Sequence, residues 1–233
     1  SGASTATAAV ALTFTSNEVT TNFAQDDITE TGCSLGTFDA TSTTVYTDTC
    51  TVSADGAASV AVAAGTFSDA VSNTNSVSNT YSWTQDDTGP TMTITSATVA
   101  SGATTGTAAA ALTFTSNEAT TDFIKDDITA TSCTLSSLTG SSTTVYTATC
   151  TPADGATGSV SVAAQKFNDA LGNDNTVSNT YTWTYDGTGP TMAITSATAA
   201  TGATTATAAF ALTFTSNEAT TDFIASDITA SSC

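Results

Sequence analysis

Along most of the chain apolar side chains fall at alternate positions. Ala110, Leu112 and Phe114 share one parity and threonines fill the other, and the same holds for Tyr146, Ala148 and Cys150, for Val160 and Val162, and for Tyr181 and Trp183. No stretch places apolar residues three and four apart, so the period is that of half-buried strands and the prediction is an all-β chain. Seven short strands are expected between positions 90 and 189: around Met92 and Ile94, over 110–114, from Ile128 toward Cys133, around Leu135 and Leu138, over 143–151, around Val160 and Val162, and over 178–185. Gly, Asn, Asp and Pro punctuate the gaps, as at Ser101-Gly102, and predict the short turns of a sandwich. Asp55-Gly56 and Asp154-Gly155 are expected as hairpin turns and nothing more.

The same pattern returns after one hundred residues. Ala-Leu-Thr-Phe-Thr-Ser-Asn-Glu occupies 11–18, 111–118 and 211–218. A period of this length is one domain per repeat. The expected organisation is therefore residues 1–89, a repeat lacking its first strand, then 90–189, a complete repeat, and 190–233, the opening part of a third. Ser1 aligns with Ser101, and the expectation is a stretch of a longer polymer of repeats. Alternating strand directions bring the chain in at one pole of each sandwich and out at the other, so that copies string end to end. Strands of this length make each repeat roughly 35–40 Å long with its loops.

Composition changes the picture chiefly through charge. Two basic residues, no histidine and 21 acids give a net charge of −19, which excludes a phosphate backbone or an anionic membrane as partner. Divalent cations are the natural counter-charge. Ser and Thr make up more than a third of the residues, and Thr suits an exposed pleated face. The outward Thr ladders also fit O-linked sugar, or a flat array for ice or polysaccharide; no Asn-x-Ser/Thr sequon occurs. No apolar run reaches the roughly 18 residues of a membrane span, and any signal or anchor is expected outside this stretch. No enzyme is expected: there is no His to act as base, and Lys125 and Lys166 have no Lys counterpart in the first copy.

The cysteines keep the period. Cys33 and Cys50 recur as Cys133 and Cys150, each pair 17 apart, and predict one disulfide per domain in an oxidising compartment, with Cys233 left to a partner further on. Trp83 and Trp183 are expected in the core beside these bridges rather than as sugar platforms.

The strand directions gather acids at one pole. The loop after Phe114 supplies Glu118, Asp126 and Asp127; the loop before Tyr181 supplies Asp169, Asn173 and Asp174; the incoming linker supplies Asp86 and Asp87. Converging hard oxygen ligands suit calcium, which would lock the angle between consecutive repeats. The next junction would use Asp186, Glu218 and Asp227. Against this, Asp126, Asp174 and Asp87 align with Ser226, Thr74 and Gly187, and Asp and Asn also cap turns by bonding to nearby backbone.

Taken together, Leu112-Thr-Phe-Thr-Ser-Asn-Glu118, Asp127-Ile128-Thr129, Val145-Tyr146-Thr-Ala-Thr-Cys150-Thr-Pro152, Phe167-Asn-Asp169-Ala-Leu-Gly172-Asn173 and Trp183-Thr-Tyr-Asp186-Gly-Thr-Gly-Pro190 resemble the bacterial-type Ig-like repeats of large extracellular adhesins and repetitive surface proteins. The resemblance covers the whole chain and implies tandem Ig-like β-sandwiches serving as spacer or adhesive modules. The cysteines depart from it, since family members usually carry small or branched apolar residues there. The expected function is a structural repeat of an extracellular filament or cell-surface stalk, with copies of itself as partners. The alternative is an adhesin segment that binds a surface glycan or protein through its loops.

Overall fold

A computed structural model describes residues 2–120 and 122–231; Cys233, whose partner was expected further along, lies outside the described residues. The first repeat contributes β1 (Ala3–Thr5), β2 (Ala9–Thr15), β3 (Ile28–Thr31), β4 (Ser34–Leu35), β5 (Asp39–Ala40), β6 (Val45–Thr51), β7 (Gly56–Val62) and β8 (Tyr81–Gln85). In the second repeat these are followed by β9 (Met92–Ser96), β10 (Thr104–Thr105), β11 (Ala110–Ser116), β12 (Ile128–Thr131), β13 (Cys133–Leu135), β14 (Thr139–Gly140), β15 (Val145–Pro152), β16 (Thr157–Val162) and β17 (Tyr181–Tyr185). The last segment adds β18 (Met192–Thr195), paired antiparallel with β19 (Thr213–Ser216).

The second repeat is a sandwich of two sheets, β13-β15-β11-β9 with β14 also on β15, facing β10-β17-β16-β12. Alternation decides what lies between them. Ala110, Leu112 and Phe114 of β11 are at most 1% exposed, as are Val160, Val162 and Trp183 from the opposite sheet. Phe123 stacks edge-on against Tyr146 and Phe167 at centroid distances of 5.0 and 4.9 Å, an arrangement favoured by the ring quadrupoles. Trp83 and Trp183 are both core residues. The first repeat copies this plan, with sheets β1-β8-β7-β3 and β2-β6-β4, β5 also on β6, and Phe23 at the centre of its aromatic cluster.

Both disulfides form, Cys33–Cys50 and Cys133–Cys150, each with Cα atoms 5.7 Å apart. They do not sit quite where the strand list put them. Cys133 does not end the strand that starts at Ile128; it opens β13, in the other sheet. The chain changes sheets at Ser132, whose φ of 56° makes the corner, and at Gly32 in the first repeat, φ 74°. A left-handed residue is what so sharp a step needs. Each bridge therefore ties neighbouring strands of one sheet, with Leu135 rather than Cys133 opposite Cys150.

Three other elements differ from the hydrophobic pattern. The strand expected around Leu135 and Leu138 is two short pieces, β13 and β14, with Leu138 packed against the core between them. The last strand starts at Tyr181, because Ser178 turns inward and its hydroxyl accepts the Val162 N–H at 2.8 Å. Finally, β1 and β10 run parallel to β8 and β17. Parallel strands of two or three residues have too little sequence to show a period.

Candidate functional site

The residues that could act on anything outside the chain converge where one repeat meets the next. The linker 86–90 leaves β8 and is held from both sides. On the first repeat, Asp55 in the β6–β7 turn accepts the Asp87 N–H at 2.8 Å and the Thr88 hydroxyl. On the second repeat, the Asn173 amide donates to the Asp86 carbonyl at 3.0 Å, the Thr176 N–H to the Pro90 carbonyl at 2.9 Å, and the Thr91 N–H to the Asn117 side chain at 2.6 Å. Pro90 is fully buried. Gly89 is obligatory at this approach: a Cβ there would lie 1.8 Å from the Asp174 carbonyl oxygen.

The next joint repeats two of these contacts, the aspartate pin and the asparagine bond. Asp154 accepts the Gly187 N–H at 2.6 Å and the Thr188 hydroxyl, while the Thr191 N–H reaches Asn217 at 2.6 Å. Asp55 and Asp154 thus do more than close hairpins. The hairpin reading stopped short because a local turn signal accounts for both residues; although Asp55 aligns with Gly155, both aspartates reach the same linker position. The signal was there in the separation of each from its partner, 32 residues to Asp87 and 33 to Gly187.

Three of the expected acids come together at the first joint. Asp86 from the linker, Glu118 from the loop after β11 and Asp169 from the loop before β17 each place a carboxylate oxygen within 4.8 Å of the others. Burial pushes the Glu118 carboxyl above its ordinary range, and the negative charges of Asp86, Asp169 and Asp55 push the same way. The Asn117 amide, donating to Glu118 at 3.2 Å, only partly opposes this. Asp169 is also partly desolvated, but N–H groups of Asn173, Leu171 and Gly172 outweigh burial and hold its pKa below the ordinary value. Like charges this close disfavour ionisation unless a cation joins them.

The remaining candidates stand elsewhere. Asp127 caps a 3-10 turn, Lys125–Asp127, by accepting the Ile124 N–H at 2.8 Å, and Asp227 does the same for Ile224 at 3.0 Å. Asp126 lies in that same turn and Asp87 contributes its N–H to Asp55, so neither joins the acidic cluster. Asn173 supports the cluster through its amide, donated to Asp169 at 2.9 Å as well as to the linker. Asp186 accepts the Thr188 N–H at 3.3 Å and Glu218 the Asn217 amide at 3.3 Å; among the described residues they form no three-carboxylate group with Asp227.

Sequence reasoning also passed over Asn175. It is 2% exposed and fully satisfied: its oxygen accepts the Lys166 and Phe167 N–H groups and its amide donates to the Ala163 and Thr176 carbonyls. This side chain shapes the loop that carries Asp169 and Asn173. Asn75 makes the corresponding bonds in the first repeat.

The pins at Asp55 and Asp154 titrate in a predictable direction. The Thr88 and Thr188 hydroxyls, then the linker N–H groups, hold both carboxyls below the ordinary 3.8. The folded pKa is depressed, so their contribution is present above that value and lost as pH falls through the folded pKa. Amide chemical shifts of Asp87 and Gly187, followed by NMR against pH, are expected to move with midpoints below 3.8. Midpoints at or above it would mean that the linker is not held this way.

A family model described as bacterial Ig-like domain matches residues 1–84 and 86–185. Among solved structures, the chain is similar to the Escherichia coli adhesin FdeC, with 13% identity and a TM-score of 0.41 over 83% of this chain and 64% of that one. It is also similar to InvD of Yersinia pseudotuberculosis, with 18% identity and a TM-score of 0.39 over 83% of this chain and 60% of that one. The chain thus spans less than two thirds of either. A third structure, Bacteroides ovatus SGBP-B in complex with a mixed-linkage heptasaccharide, aligns at 13% identity and a TM-score of 0.24 over 82% of this chain and 45% of that one. No curated protein matches. Among the described residues no helix is long and apolar enough to cross a membrane.

Proposed function

Since the chain belongs to the bacterial Ig-like domain family, we propose that it is a structural repeat of an extracellular filament or cell-surface stalk, in which the sandwiches are spacers held end to end. The observation that carries this reading is the double pinning of the linker, by Asp55 on one side and by Asn173, Thr176 and Asn117 on the other. A hinge that only connected two domains would leave its N–H and C=O groups to water. Here five consecutive residues are engaged or buried, including a buried Pro and a Gly that no other residue can replace. Conformational freedom at the joint is what such contacts remove, and a stalk needs that freedom removed.

Calcium is the proposed counter-ion at the joint. Asp86, Glu118 and Asp169 would supply hard oxygen ligands from linker and loops, with carbonyls and water completing the six to eight that calcium takes. The ion would offset the burial and the repulsion that together raise the Glu118 pKa and would couple the linker to both loops. Small-angle scattering and thermal melting of the chain, with calcium and with chelator, test both parts. The expected result is an extended particle whose length does not change with conditions, and a melting temperature raised by calcium. At free calcium a hundredfold above its dissociation constant the gain is about 2.7 kcal/mol. A scattering profile of independently moving domains would overturn the stalk; an unchanged melting temperature would overturn the calcium.

A further inference from the structure

The two ends of the second repeat lie at opposite poles. Incoming Pro90 and Thr91 are held by Thr176 and Asn117, while outgoing Gly187 and Thr188 are held by Asp154 in the turn after β15. Asn117 follows the end of β11, and β15 runs antiparallel to β11, so that its last residues lie beside the first ones of β11. Any pull transmitted along a tandem chain therefore crosses the sandwich from pole to pole.

The segment that enters and the segment that leaves are bonded side by side. Asn179 accepts the Ile94 N–H at 2.7 Å and donates its amide to the Ile94 carbonyl at 2.9 Å, and the Tyr181 hydroxyl donates to the Val99 carbonyl. Further along, the Gly102 N–H donates to the Thr182 carbonyl at 2.7 Å, the Thr184 N–H to the Ala103 carbonyl at 2.8 Å and the Asp186 N–H to the Thr105 carbonyl at 3.0 Å. Both sides of this seam run the same way, and β10 and β17 at its end are parallel, Thr104 opposite Thr184. The first repeat has the same pairing, Ala3, Ser4 and Thr5 opposite Trp83, Thr84 and Gln85, with the Asp86 N–H donated to the Thr5 carbonyl at 3.0 Å.

Direction decides how such a seam responds to tension. A pull on the incoming side draws 94–105 back toward the entry pole, and a pull on the outgoing side draws 179–186 toward the exit pole. Parallel segments drawn apart in this way slide along each other, so their bonds are stressed together instead of one by one from an end. Each bond adds little to equilibrium stability, but breaking several at once raises the barrier to forced unfolding, which is governed by the unfolding rate. Behind the seam lies a second obstacle. Once the seam gives, the chain extends from both ends only as far as Cys133 and Cys150, and the bridge keeps the 17-residue separation between them out of the extension.

We propose that each sandwich bears tension, with the parallel seam as the element that resists it and the disulfide as the stop that limits extension after the seam has given way. This rests on the stalk reading for its setting, since only a chain held at both ends is pulled. The two fail separately, because rigid joints are read by scattering and need no resistance inside the sandwich.

The test is single-molecule force spectroscopy on the intact chain held by its two ends. Each repeat is expected to rupture in a discrete event. Asp186→Pro removes the N–H that the Thr105 carbonyl accepts, and Tyr181→Phe the hydroxyl that the Val99 carbonyl accepts; each is expected to lower the rupture force of the second repeat and not of the first. Val162→Ala empties a fully buried site away from the seam, and is expected to lower equilibrium stability in denaturant while leaving the rupture force at the wild-type value. Cys133→Ala with Cys150→Ala is expected to lengthen one event by about 60 Å, at roughly 3.5 Å for each of the 17 residues released. That longer event also marks which rupture belongs to the second repeat. The inference is overturned by extension without discrete ruptures, by seam variants that rupture at the wild-type force, by Val162→Ala lowering the force as much as they do, or by an event that is no longer without the bridge.

Discussion

Phe114→Ala is expected to lower the stability of the second repeat by about 3–5 kcal/mol, the usual cost of emptying a large aromatic site in a close-packed core. Phe114 is 0% exposed, lies between β9 and β15 in its sheet, and contacts Phe123 at 6.0 Å. Its counterpart Phe14 occupies the same place in the repeat but is only partly buried. Less of its surface leaves water, so Phe14→Ala is expected to cost clearly less. Denaturant unfolding of the two variants, with separate probes for each repeat, measures both. Equal losses would contradict the difference in burial between the two side chains.

Removing the second bridge, as Cys133→Ala with Cys150→Ala, is expected to destabilise that repeat by about 3 kcal/mol on the chain-entropy model for a loop of this length. The same substitution of Cys33 and Cys50 is expected to act on the first repeat alone, since among the described residues each bridge lies within one repeat. Position matters as well as loop length. Each bridge fastens the two-to-three-residue strand that follows the sheet crossing, β4 or β13, to the long strand β6 or β15. So short a strand contributes few ladder bonds, and the covalent tie holds it. Reduced protein is therefore expected to lose hydrogen-exchange protection first at 33–35 and 133–135. Early loss elsewhere, with these segments still protected, would assign the stabilisation to some other part of the fold.

The acidic joint illustrates how far the chain could be read without coordinates. That Glu118, Asp169 and Asp86 face the same junction followed from strand direction alone, because antiparallel strands return alternate loops to one pole. Which neighbouring acids join them did not follow. Asp127 is one residue from Asp126 and nine from Glu118, yet it caps its own turn; a carboxylate within reach of a free N–H three residues back is used locally, whatever its charge could do elsewhere. Asp55 and Asp154 were overlooked for the opposite reason, since their role depends on a linker 32 or 33 residues away and a local turn signal accounts for them without it.

By itself, the sequence determined the class of structure, the hundred-residue unit, the inward face of each long strand and the pairing of the cysteines. These rest on alternation and spacing, which are properties of the chain at short range and recur in every copy. The tertiary structure decided the rest: the crossing at Ser132 that puts Cys133 in the second sheet, the parallel edge strands β1 and β10, and the linker pinned between two repeats. Each of these depends on backbone groups of distant segments meeting in space. A hydrogen bond to main chain leaves almost no trace in residue type, so only the fold reveals where it is made.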